Sequence, residues 1–137
     1  MEVVDYANGN LCRLRFLPDA FDSADQPHFL QFDELYSVLE CVNKCAEKRI
    51  TGLGKDISQW FGDNSIDYAA RESETTTAQL RDKRRFYDDM YGKYQVMLPH
   101  IKVRGSALRI HLYWERNENK WLIGHVGNHL PTSSDPH

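Results

Sequence analysis

Two short apolar runs near the C-terminus constrain the fold more than any other feature of the chain. Leu108 to Glu115 alternates apolar and polar side chains, and Lys120 to Val126 is an apolar-rich run after a short polar break. Period-two alternation over about eight residues marks a half-buried strand, and a second short apolar run across a short loop reads as its hairpin partner. The loop length sets the register. A two-residue turn at Asn117-Glu118 pairs Leu112 with Ile123. A three-residue loop, Asn117-Glu118-Asn119, pairs Ile110 with Val126, Leu112 with Gly124 and Trp114 with Leu122. A one-residue slip sends every side chain to the opposite face, so the register that collects the apolar residues on one side is preferred. Asn119 also suits a left-handed final loop position. The three-residue loop is therefore expected.

That register places His111 opposite His125, flanked by Arg109 and Tyr113. Five of the six histidines lie between His100 and His137, so this end of the chain is where proton chemistry would be sought. Three readings compete. The first is a polar sheet face with no chemistry. The second is a surface for an anionic partner, with Arg109 and Arg104 supplying charge and Tyr113 and Trp121 supplying stacking. In the third, one neutral and one protonated imidazole, with Arg109 steadying developing negative charge, could cleave a phosphodiester without metal. The candidate catalytic set is His111, His125, Arg109 and Tyr113.

Elsewhere the pattern predicts the following. Asn8-Gly9 reads as the turn of an N-terminal hairpin, with Leu11 to Leu17 as its second strand. Residues 18 to 31 read as a loop. A helix runs from Asp33 to Arg49, burying Leu35, Leu39, Val42 and Ala46 with Val38 and Cys45 beside them. A short helix over Asp56 to Phe61 anchors Trp60 and Phe61. Residues 71 to 85 are a solvated helix or a mobile connection. A second main helix extends from Leu80 to Tyr94, with Leu80, Tyr87, Met90, Tyr91 and Tyr94 buried. Gln95 to Val103 is an edge strand broken at Pro99. The expected architecture is a single α+β domain over residues 1–131, with a flexible tail at 132–137. Its antiparallel sheet combines the N-terminal hairpin with the C-terminal strands and packs against two main helices.

Composition bounds the function. The net charge of −3 divides into 12 acids against 6 bases in residues 1 to 70, and 8 acids against 11 bases thereafter. Arg81, Arg84 and Arg85, continued by Arg104, are the candidate nucleic-acid-binding residues. Asp82, Asp88 and Asp89 interleave with them, which is the pattern of a solvated face, so nucleic acid is the less favoured partner. Three cysteines and no secretion signal point to a reducing cytoplasm. Cys41 and Cys45 share a helix face but have no further ligand pair at zinc spacing, and His125 and His129 lie on a strand leaving into a loop. No metal, cofactor or membrane contact is expected.

The stretch from Arg109 to Trp114, a turn, and then Leu122 to Pro131 resembles the ending of small uncharacterised bacterial proteins that close on a hairpin and a Gly-His-x-Gly-x-His-Leu phrase. The same strands are similar to RelE/ParE-like toxins at Arg109 and Gly124-His125, with Val126 where that family carries an arginine. The second resemblance implies mRNA cleavage. The favoured expectation is a small cytoplasmic bacterial protein without enzymatic activity. It binds a partner protein, a ligand or a second copy of itself. RNA binding or metal-independent phosphodiester cleavage through the C-terminal hairpin is the alternative.

Overall fold

The computed structural model describes residues 2–24, 32–71, 81–103, 106–128 and 130. The 132–137 tail, Arg104, His129 and most of the 71–85 connection lie outside the described residues. The architecture is α+β. The helices are α1 (Glu2–Asn10), α2 (Pro18–Ala24), α3 (Phe32–Thr51) and α4 (Ile57–Asp63). The strands are β1 (Leu14–Phe16), β2 (Asp67–Ala69), β3 (Arg85–Asp88), β4 (Lys93–Val96), β5 (His100–Lys102), β6 (Leu108–Glu115) and β7 (Lys120–Asn128). A five-stranded sheet runs in the order β1-β7-β6-β5-β2, and β3 and β4 form a separate two-stranded ribbon. Among the described residues no helix is long and apolar enough to cross a membrane.

The β6–β7 hairpin uses both registers in turn. From Leu108 to His111 the pairs are those of the three-residue loop, including Ile110 with Val126 and His111 with His125. A bulge follows, and from Leu112 to Glu115 the pairs are those of the shorter turn, including Leu112 with Ile123 and Trp114 with Trp121. Gly124 is the extra residue. The bulge keeps the apolar face continuous past the register change, which is how one additional residue is absorbed without turning a strand over. Asn119 takes the left-handed conformation at φ 55°.

That apolar face carries the main core. Leu108, Ile110, Leu112, Trp121, Ile123 and Val126 meet Leu35, Leu39, Val42, Cys45 and Ala46 of α3, together with Trp60 and Phe61 of α4. The α3 stripe is the expected one. Asp56 caps α4 by accepting from the Gln59 amide at 2.8 Å.

Five expectations are corrected. The N-terminal hairpin is instead α1. Val3, Val4, Ala7 and Leu11 all point into the core at three- and four-residue intervals, and the Asn8-Gly9 break falls in the helix's last turn. Burying four apolar side chains on one helical face outweighs the local turn preference. The chain then enters β1, which pairs parallel to β7, so the sheet is mixed rather than antiparallel. Part of the expected loop after it is α2, whose Ser23 hydroxyl accepts from the Val126 amide at 3.0 Å.

The expected second main helix is instead the β3–β4 ribbon, preceded by a 3-10 turn over Arg81–Arg84. Tyr87, Met90, Tyr91 and Tyr94 are exposed, not buried. Phe86 and Asp88 point inward instead, at strand spacing, and Gly92 turns the ribbon at φ 63°. Finally, β5 follows Pro99 as a strand but lies between β6 and β2, so it is not at the edge.

Candidate functional site

The sheet face opposite the main core carries a row of three histidines on adjacent strands. His100 of β5 pairs with His111 of β6, and His111 pairs with His125 of β7. The His100 and His111 rings stack at 5.2 Å between centroids, and the His111 and His125 rings meet edge-on at 5.7 Å. The sequence pairing of His111 with His125 therefore holds, with His100 as an additional member. Its signal was the strand after Pro99, whose pairing with β6 sets His100 beside His111.

The row is enclosed. His100, His111 and His125 are 7%, 1% and 8% exposed. The Phe86 ring of the β3–β4 ribbon lies 6.1 Å from His111 and 6.3 Å from His125. Phe86 belongs to a second small core with Leu17, Met97 and Leu122, against which Tyr113 packs. Each imidazole has one nitrogen on a backbone carbonyl: His100 Nδ1 on Leu98 at 2.9 Å, His111 Nδ1 on Met97 at 3.1 Å and His125 Nε2 on Asn128 at 2.7 Å. A carbonyl only accepts, so each of these nitrogens carries the hydrogen. Burial, helped by His100, His125 and Arg84, pushes the His111 pKa well below the ordinary histidine value of 6.5, against the pull of the Met97 carbonyl. His111 is thus a neutral imidazole with its proton on Nδ1. Among the described residues no group of three or more His, Cys, Asp or Glu is arranged to hold a metal ion.

The other sequence-derived residues scatter around the row. Arg109 is half-buried and donates to the Leu108 carbonyl at 3.0 Å and more weakly to that of Ser106 at 3.4 Å. Arg84 is 1% exposed, whereas its neighbours Arg81 and Arg85 are exposed. The expected basic run is therefore divided between the interior and the surface.

Two features hold the ribbon down, and neither was visible in the sequence. At one end, Gly124 lies directly beneath Phe86 and Met97. At the other, the Arg15 guanidinium grips two carboxylates. Its Nη1 and Nη2 donate to Asp88 at 2.8 and 2.9 Å, and its Nε and Nη2 donate to Glu118 at 2.9 and 2.8 Å. Asp88 is 1% exposed and also accepts from the Met90 amide at 3.0 Å. The hydrogen bonds from Arg15 hold the Asp88 carboxyl below its usual pKa. One arginine thus ties β1 to the ribbon and to the β6–β7 loop with charge-assisted, two-pronged bonds.

The ribbon also carries Tyr87, Met90, Tyr91 and Tyr94, exposed by 39%, 61%, 47% and 59%, with the Arg15 guanidinium 5.5 Å from the Tyr91 ring centre. Tyr87 and Tyr94 pair across the strands with rings edge-on at 5.3 Å, and the Arg85 guanidinium sits 4.6 Å from the Tyr94 ring centre. Comparison with protein-family models, curated proteins and solved structures finds no match to this chain.

Proposed function

We propose that this is a non-enzymatic binding protein that docks a partner protein through the outer face of the β3–β4 ribbon. The observation that carries the reading is the clustering of four large exposed side chains, Tyr87, Met90, Tyr91 and Tyr94, on one small element. Tyrosine, methionine and arginine are enriched at protein interfaces, and tyrosine and arginine supply many of their binding hot spots. The ribbon is also clamped at both ends, so little ordering is lost on docking. Exposed Arg85 and Lys93 lie on the Tyr94 and Tyr91 rings, and exposed Arg81 and Lys83 stand just before the ribbon in the chain, against Asp82 and Asp89, which favours an acidic partner surface.

A protein fits this face better than single-stranded nucleic acid. Nucleic-acid readers present open ring faces to successive bases. Here the Tyr94 face is covered by Arg85, and Tyr87 and Tyr94 turn edge-on to each other. The histidine row supports the same reading by its enclosure: a substrate would have to displace Phe86 to reach His111.

A photocrosslinking residue at position 94, compared with one at exposed Lys44 on α3, tests this in the native cells. A discrete protein adduct is expected from position 94 alone, falling about tenfold or more with Tyr87→Ala, the loss of a hot spot of about 2 kcal/mol. Tyr87→Ala should change folding stability by less than about 1 kcal/mol, because it removes one exposed cross-strand pair. Adducts to RNA, adducts only to the chain itself, or equal labelling from position 44 would each overturn the reading.

A further inference from the structure

On the opposite side of the sheet from the ribbon, a cavity of about 650 Å³ opens between the end of α3, α4 and β2. Arg49, Lys55, Asp56 and Ser58 line it together with apolar side chains and Tyr68. Arg49 is the last basic residue of α3, and its guanidinium rests on the Trp114 ring at 4.2 Å and reaches to 5.5 Å from that of Trp121. These π faces attract the cation but accept few of its five N–H donors.

No carboxylate among the described residues forms an ion pair with Arg49. The titratable groups that act on it most directly, Cys45 and Tyr68, are neutral at ordinary pH. Burial pushes the Cys45 thiol up to about 11 and raises the Tyr68 phenol. Burial also works against the guanidinium charge itself. Arginine stays protonated nonetheless, so a half-buried cation lines the cavity with no carboxylate in ion-pair contact among the described residues. The second cation on the rim, Lys55, is engaged with Asp63 at 2.6 Å. Asp56, whose carboxylate accepts from the Gln59 amide at 2.8 Å, and Ser58 are the other polar lining, and Leu53, Ile57, Ala70 and the Tyr68 ring supply the apolar wall.

We propose that this cavity binds a small organic anion, a carboxylate or phosphate monoester on an aromatic or aliphatic body, with Arg49 as the anchor of its head group. The guanidinium fork matches two oxygens of either group. The volume falls in the range of small-molecule sites, and the apolar wall accounts for the body. The site is separate from the ribbon and does not require the partner-docking reading.

Titrating the full-length protein with benzoate, phenyl phosphate and benzyl alcohol tests it, read by NMR shifts of the Arg49 Nε–H and the Trp114 and Trp121 indole signals. At least one of the two anions should shift these signals saturably, about tenfold or more tightly than the neutral alcohol, the ratio expected for charge-assisted hydrogen bonds. Which anion binds more tightly distinguishes a carboxylate ligand from a phosphate ester. Arg49→Gln should lose the preference for anions. Arg49→Lys should retain part of it, and it serves as the second variant if Arg49→Gln loosens the tryptophan cluster. Equal binding of the alcohol, no saturable shift by either anion, or undiminished anion binding in a folded Arg49 variant would each overturn the proposal.

Discussion

Replacing Arg15 with alanine is expected to cost about 3–5 kcal/mol of stability, the loss that follows when one member of a buried ion pair is removed. Native domains are stable by only about 5–15 kcal/mol, so the variant should unfold at markedly lower urea and about 10–20 °C lower temperature. The size follows from what is left behind. Asp88 is 1% exposed and would keep its charge with only backbone amides for partners. Glu118 would also lose its two-pronged bond. Replacing both partners with apolar residues, Arg15→Met with Asp88→Leu, should cost less than Arg15→Ala alone, because no orphaned charge remains. The acid limb of stability should change as well. Asp88 has a depressed pKa in the folded state, so its contribution is present above the ordinary value of 3.8 and fades as pH falls through the lower folded value. Arg15→Ala should remove that dependence. A loss below about 1 kcal/mol would mean that the clasp behaves as a solvent-screened surface pair.

Gly124→Ala should cost about 1–3 kcal/mol, the range for overpacking a filled site. A Cβ at this position would stand 2.7 Å from Phe86 Cγ and Cδ2 and 2.8 Å from Met97 Sδ. The Phe86 contact is at the root of the ring, so the whole side chain must move, and the cover over the histidines moves with it. Hydrogen exchange at β3 and β4 should rise, and the His111 pKa should move back toward the ordinary range. Gly62→Ala is the control. Nothing lies within 4 Å of the added methyl, and the position is in α4, so a neutral or slightly stabilising effect is expected. If the two variants unfolded at the same urea concentration, Gly124 would not be the seat of the ribbon.

The parts of this fold that could be read from the sequence are those whose burial follows from local spacing. The α3 stripe repeats every three or four residues, and β6 alternates and is followed across a short loop by the apolar run of β7, so helix, hairpin and the His111–His125 pair were all legible. The bulge was not. Each register was correct for half of the hairpin, and only the packing of Phe86 and Met97 on Gly124 shows where one gives way to the other. The ribbon was hidden for a related reason. Tyr87, Tyr91 and Tyr94 recur at helical intervals, while the residues that fix the strands, Phe86 and Asp88, gain their partners from Gly124 and Arg15, far along the chain. At the N-terminus, Asn8-Gly9 signalled a break in the chain without saying whether a strand or a helix ends there. Long-range pairing decided each case that spacing left open.

The enclosure of the histidine row separates a packed layer behind a docking ribbon from a pair poised for acid–base work. An NMR titration of the His111 ring from about pH 8 to about pH 4, spanning the ordinary histidine range, tests it most directly. The folded protein should keep His111 neutral with its hydrogen on Nδ1 as pH passes below 6.5, the value at which an ordinary histidine is half protonated. Because the unfolded chain takes up that proton first, stability should be full above 6.5 and fall below it by up to about 1.4 kcal/mol per pH unit. His111→Phe should flatten that slope. A His111 ring that titrates at or above 6.5 in the folded protein would contradict the enclosed row and return His111 and His125 to candidacy as a working acid and base.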